Sequence, residues 1–285
     1  KRKYNLCKNS FFSNFEAKIN SGKLEANNNE AAKQNILWFD TLRALASFGV
    51  IVLHVAAPAL YLHGHEIDSN WWVGNAFDSL VRFSVPIFLL ISGALLLPKT
   101  YPSLQAYFSK RVLRIVYPFL FWSIIYITYS LFHTYQETGS MEMRQITTRF
   151  FVKLRDGASF HLWYVYLILG LYLIYPVLGK WLHNSKQSEI KYFIFIWVVC
   201  IVARLPFIAD YFPKIELIYF SGYIGYPVLG YLLIRYKFEN REKIKEIALL
   251  LIGAGVLITF FGTYFLTSHN GHFDDTLYHF LSPNV

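Results

Sequence analysis

The feature that most constrains this chain is a succession of apolar runs, at residues 36–62, 71–97, 112–133, 161–182, 191–209, 215–235 and 245–267, with an eighth opening near Thr276. A helix rises about 1.5 Å per residue, so about 20 apolar residues cross a hydrocarbon core of roughly 30 Å. The runs predict an all-α, polytopic transmembrane bundle with seven or eight helices in this chain. The alternating ten-residue segments of a membrane barrel are absent. Composition agrees: 55% of residues are hydrophobic and 16% charged, against about 25% charged in an ordinary soluble domain.

The net charge of +9 is that of many nucleic-acid binders, but here the basic residues sit in the tail and in alternate loops rather than on one soluble face. Lys33, Lys99, Lys110, Arg111, Arg114, Lys186, Lys191, Arg235, Lys237, Arg241, Lys243 and Lys245 mark the cytoplasmic side by the positive-inside rule. The N-terminus is therefore expected in the cytoplasm, and no nucleic-acid partner is expected. The loop 134–160 strains this topology, because it should be external yet carries Arg144, Arg149, Lys153 and Arg155; an interfacial segment would reconcile the two. With only Cys7 and Cys200, neither a disulfide framework nor a cysteine metal site is indicated.

Residues 1–35 are polar, rich in Asn and Lys, and lack the apolar core of a signal peptide. They read as a disordered cytoplasmic tail preceding a transmembrane domain over 36–285. The chain opens on Lys1 rather than Met, so it is expected to be a fragment at this end. The pentapeptide YPVLG occurs at 175–179 and again at 226–230, too short to establish an internal repeat. Pro86, Pro118, Pro176 and Pro227 are expected to kink or open their helices, which membrane helices tolerate where neighbours satisfy the released carbonyls.

The first apolar run carries an anomaly. "DTLRALASFGVIVLH" (40–54) contains Asp40, Arg43, Ser47 and His54, and at 100° per residue Arg43 and His54 fall within about 20° of each other, the other two within about 40° of His54. Four polar side chains thus form one stripe, which should face protein or water rather than lipid. Arg43 and His54 are separated by roughly 16 Å along the axis, which suits a long ligand with an anionic head and a reactive tip, such as an acyl-CoA. A histidine bonded to a neighbouring helix and an anchoring arginine are the structural alternative. Intramembrane ionisable groups are costly and usually functional.

Other clusters are weaker. "SKRVLRIVYP" (109–118) places Arg111 and Arg114 three residues apart at the cytoplasmic level of Arg43, where paired guanidiniums bind phosphate or anionic lipid. In the second run Asp78 and Arg82 stand at i and i+4, an expected intramembrane ion pair, and Ser92-Gly93 allows close helix approach. "HLWY" (161–164) offers His161 and Trp163 as a sugar platform or as an aromatic belt. The groups His63, His65, Glu66, Asp68 and His269, His272, Asp274, Asp275 have no metal-ligand spacing, so they read as solvated loops and no metal is expected.

Together, R-x10-H in the first run, "VPIFLLISGALL" in the second, R-x-x-R before Pro118 in the third and "HLWY" in the fourth resemble the membrane-bound acyltransferase 3 family. Within it the chain is similar to the bacterial O-acetyltransferases of cell-envelope polysaccharides, such as the one acting on enterobacterial common antigen. The resemblance implies a core of about ten helices in the inner membrane, acetyl-CoA as donor, and a hydroxyl of an envelope glycan or lipid-linked sugar as acceptor. It carries His54 over as catalytic base or acyl relay, and Arg43, Arg111 and Arg114 as CoA contacts. Arg82, Ser92, His161 and Trp163 are substrate candidates. The chain stops at Val285, short of the last two or three implied helices, and is expected to be truncated there.

Two routes stay open: direct attack of a sugar hydroxyl with His54 as base, or transfer through an acyl-His54 intermediate. From another class, a proton-coupled secondary transporter would also use intramembrane His, Asp and Arg with proline-broken helices. A non-catalytic membrane scaffold gives no reason for the shared face of Arg43 and His54.

Overall fold

The computed structural model describes residues 37–61, 67–140, 142–205, 222–236 and 239–278. Expectations for the tail 1–35, for His63, His65 and Glu66, for residues 206–221 and for most of the run opening near Thr276 lie outside these. The described residues are helical with no strand among them, the all-α class that the apolar runs predict. Five helices are long and apolar enough to cross a bilayer: Leu37–Tyr61, Ser69–Leu96, Leu104–Thr138, Trp163–Asn184 and Arg241–Asn270. This is a multi-pass membrane protein. Large apolar side chains such as Val55, Phe121, Tyr129, Val177, Phe195, Leu250 and Phe265 lie exposed, the outside a protein needs when its solvent is hydrocarbon.

The chain divides into two compact units, residues 1–88 with 267–273 and residues 89–266 with 274–285. The first contains α1 (Leu37–Tyr61) and α2 (Ser69–Val81). Asp68 caps α2 by accepting from the Trp71 amide at 2.7 Å, so this member of the external acidic and histidine group has a structural job. α1 buries Ala46, Gly49, Ala56 and Leu60 at helical spacing, the first three small enough to let α2 approach. α3 (Ser84–Leu96) follows after a turn at Arg82–Phe83. Pro86 has no N–H for the Arg82 carbonyl, and the Ser84 hydroxyl donates instead to the Val81 carbonyl at 2.7 Å. The boundary between the units falls within α3.

In the second unit a short α4 (Leu104–Tyr107) passes through a π turn, Phe108–Val112, into α5 (Leu113–Thr138). α6 (Met143–Asp156) fills the loop that strained the topology. It sits on α5 through Phe150 and Leu154 beside Phe119, Ile127 and Leu162, while Met143 and Phe151 stay exposed. α7 (Trp163–Asn184) follows a 3-10 turn at Phe160–Leu162. α8 (Gln187–Ala203, 17 residues) and α9 (Gly225–Arg235, 11 residues) precede α10 (Arg241–Asn270).

The two YPVLG copies do the same thing against α3. A Cβ on Gly179 would stand 3.3 Å from the Leu97 carbonyl, and one on Gly230 would collide with the Leu90 carbonyl two turns away. Gly93 on α3 in turn admits the Pro227 backbone. The repeat is therefore a packing device, with glycine at each point where backbones meet. The prolines behave unequally: only Pro86 coincides with an interruption, whereas Pro118 and Pro176 sit inside continuous α5 and α7 and Pro227 occupies the first turn of α9, where a missing N–H costs nothing.

Candidate active site

Of the residues singled out in the sequence, Arg43, His54 and Arg82 belong to the first unit, and Ser92, Arg111, Arg114, His161 and Trp163 to the second. On α1, Arg43 donates from Nη1 to Asp40 Oδ1 at 2.8 Å, so the N-terminal end of the stripe is an ion pair one turn long. Arg43 and His54 are half-buried; Asp40 and Ser47 are exposed. The packed face of α1 is a different one, its centre lying about 125° round the helix from His54.

On α2 a polar row occupies one face: Trp71, Asn75, Asp78 and Ser79 are buried. The Ser79 hydroxyl donates to Asn75 Oδ1 at 3.1 Å. Asp78 is paired with Arg82, as its i, i+4 spacing predicts, with the aspartate side chain 0% exposed and the arginine 22%. An ion pair this deep is held by its mutual charge, because either partner alone would face an uncompensated desolvation cost.

In the second unit the π turn lies inside the R-x-x-R segment and gives its two arginines different surroundings. Arg111 is half-buried and donates from Nε to the Tyr101 hydroxyl at 3.2 Å; Arg114, the second residue of α5, is exposed. Regular α-helical spacing had put the two on one face, and the π turn removes that regularity. From Tyr101 an aromatic chain leads inward. Its ring meets that of Tyr107 edge to face at 4.9 Å, the Tyr107 hydroxyl donates to the Tyr172 carbonyl at 2.8 Å, and the Tyr172 ring lies 5.1 Å from that of Tyr175.

The chain of tyrosines ends on Ser92, whose hydroxyl donates to the Leu89 carbonyl at 2.9 Å and accepts from the Tyr175 hydroxyl at 2.5 Å. Sequence reading passed over Tyr101, Tyr107, Tyr172 and Tyr175. The available signal was their position: Tyr172 and Tyr175 lie mid-span, away from the interfaces where aromatic belts form. Ser92 is thereby placed as an acceptor in a helix-to-helix hydrogen bond. His161 contacts the Ser159 hydroxyl through Nδ1 at 3.1 Å and the Tyr126 ring edge to face at 5.1 Å. Trp163, 42% exposed, lies tilted over Tyr223 at 6.2 Å.

A family model described as an acyltransferase domain matches residues 36–283, a span that takes in every described residue. The chain belongs to the acyltransferase 3 family. No curated protein and no solved structure matches it. As a membrane acyltransferase it needs a general base, a place for the donor and a group for developing negative charge. A guanidinium has five N–H donors; Arg43 directs one to Asp40 and Arg111 one to Tyr101, while Arg114 is exposed.

Proposed function

We propose that this acyltransferase moves an acetyl group from acetyl-CoA, taken from the cytoplasm, to a hydroxyl of a cell-envelope polysaccharide or its lipid-linked precursor, in the manner of the bacterial envelope O-acetyltransferases it resembles. The carrying observation is the arrangement of α1: Arg43 and His54 share one face, roughly 16 Å apart along the axis, and stand off the face by which the helix packs. An extended pantetheine arm spans that distance. Arg43, Arg111 and Arg114 contact the donor's phosphates, and His54 takes the proton of the attacking hydroxyl.

The membrane is the bacterial cytoplasmic one, with the N-terminus inside, in keeping with the basic residues of the loops after α3 and α7. Trp163, with its exposed ring beside Tyr223, offers a sugar face a stacking surface. The Asp78–Arg82 pair and the interrupted α2–α3 span are also features of transporters, which makes transport the competing reading. Sealed vesicles holding the protein separate the two. With acetyl-CoA on the cytoplasmic side and envelope lipids as acceptor, acyl transfer releases free CoA thiol in step with acceptor consumed; proton-coupled solute flux with no thiol release would replace the proposal by transport.

A further inference from the structure

Two close approaches fix how α1 and α2 lie against each other within the first unit. A Cβ on Gly74 would stand 3.0 Å from the Ala59 Cβ, 3.2 Å from Leu60 and 3.3 Å from the Ala56 carbonyl, so Gly74 faces the turn of α1 centred on Pro58. A Cβ on Gly49 would meet the Ser84 hydroxyl and stand 3.5 Å from the Val81 Cβ. Later residues of α2 therefore meet earlier residues of α1, and the helices are antiparallel. Four residues forward from Gly74 is Asp78, and four back from Pro58 is His54. Counting instead from the contact at Gly49 brackets the level of Asp78 between Val52 and Val55. His54 and Asp78 lie at the same depth.

The polar edges also turn to the same side. On α1, Arg43 and His54 lie about 105° and 125° round from the packed face in the direction of advancing residue number. On α2, Asp78 and Arg82 lie about 40° and 80° round from Gly74 in that same direction. In antiparallel helices equal senses of rotation bring both edges to one side of the seam. Arg82 starts about 6 Å nearer the cytoplasm than Asp78, and side chains tilt toward a helix N-terminus, which carries its guanidinium back toward the level of Asp78 and His54. The helix stops there too, at Val81, with Arg82 as its C-cap and the first residue of the turn. Interrupted backbone at membrane depth is tolerated only against protein or a polar cavity.

We propose that Arg82 is the catalytic cation of the transfer site, neutralising the charge that develops on the thioester oxygen, and that Asp78 is the positioning residue that holds it at the depth of His54. The proposal rests on the acyl-transfer reading above. In the step it serves, the sugar oxygen forms a bond to the thioester carbon as its proton passes to His54, and the carbonyl electron pair moves onto oxygen beside Arg82. Return of that pair breaks the C–S bond, and the departing thiolate takes the proton from the imidazolium. The products are an O-acyl sugar and free CoA, with His54 and Arg82 restored. A guanidinium held by a buried carboxylate is already oriented before charge develops, which is the condition for electrostatic stabilisation to accelerate a reaction.

The deciding variant is the neutral pair Asp78→Asn with Arg82→Gln, because removing one charge alone leaves the other buried without compensation and can unfold the helix pair. The full chain in vesicles is given labelled acetyl-CoA and envelope lipids, and fold is followed by protection of Cys200 from thiol reagent. The expected result is wild-type protection, a KM for acetyl-CoA within about threefold of wild type and kcat lower by about 100-fold or more. A folded double variant with wild-type kcat overturns the proposal and makes the pair a structural lock. If the neutral pair fails to fold, Arg82→Lys carries the test, since it keeps the ion pair and loses the planar fork: a drop in kcat of about tenfold at constant KM supports the proposal, and unchanged kcat overturns it. Wild-type protein that moves no label to acceptor defeats the acyl-transfer reading itself, which these variants leave untouched.

Discussion

At the residue scale, the polar groups of this chain divide into those that hold helices together and those that packing does not use. Ser92 and Tyr175 are of the first kind. Their hydroxyls meet in an apolar interior, each the other's replacement for water, and hydrogen bonds of this sort between membrane helices contribute modestly. Tyr175→Phe and Ser92→Ala should each destabilise by roughly 0.5–1.5 kcal/mol, with strong non-additivity in the double variant; thermal unfolding in detergent measures both. Arg114 is of the second kind. It is exposed, so Arg114→Ala should fold normally and raise the KM for acetyl-CoA by about tenfold, the loss of one charge-assisted contact, with little change in kcat. An unchanged KM would remove Arg114 from the donor site.

The stripe on α1 was legible in the sequence because a charge inside an apolar run stands out against its surroundings, and helical arithmetic alone puts Arg43 and His54 on one face. The tyrosines joining Arg111 to Ser92 were not, because tyrosine belongs equally to cores, belts and sites, and only three-dimensional neighbours separate these. The Asp78–Arg82 pair was legible as a pair, since i, i+4 spacing is local. Its level relative to His54 was not, because register between helices is set by which small residues admit which backbones, here Gly49 and Gly74.

At the scale of elements, glycine decides the close contacts. Gly93 and Gly230 lie where the backbones of α3 and α9 meet, so Gly93→Leu or Gly230→Leu should force the two helices apart and cost several kcal/mol, within the range of overpacked cores and beyond it where backbone must move. Gly253 and Gly255 on α10 have no atom within 4 Å of an added Cβ, so alanine there should be neutral or slightly stabilising. Reagent labelling of buried Cys200 before and after mild heating compares the four variants. α6 falls in the loop where an interfacial segment was expected, but its bounds were not legible: its apolar face is divided between α5 and the exterior, and its mean character is polar, so no length criterion for a span detects it. The π turn at Phe108–Val112 was equally invisible, being one extra residue in a helix whose pattern looks regular.

For the whole molecule, hydrophobic length and charge set topology, and topology sets which side meets which substrate. Ser109 lies in the π turn that leads into α5, and Ser140 follows the end of α5. With Cys7 and Cys200 replaced by serine, a single cysteine at 109 should react with impermeant reagent only from the cytoplasmic side, and one at 140 only from the opposite side. Equal labelling from both would dismantle the assignment of Arg111 and Arg114 to the donor face. The central claim, that His54 is the chemical centre of acyl transfer, is tested most directly by following labelled acetyl from acetyl-CoA in membranes with native envelope lipids, for wild type and His54→Ala side by side, at matched amounts of folded protein. The account predicts label in a glycolipid and an equal yield of free CoA for wild type, and a loss of about 100-fold or more in both for the variant. Equal transfer by the two proteins would contradict it.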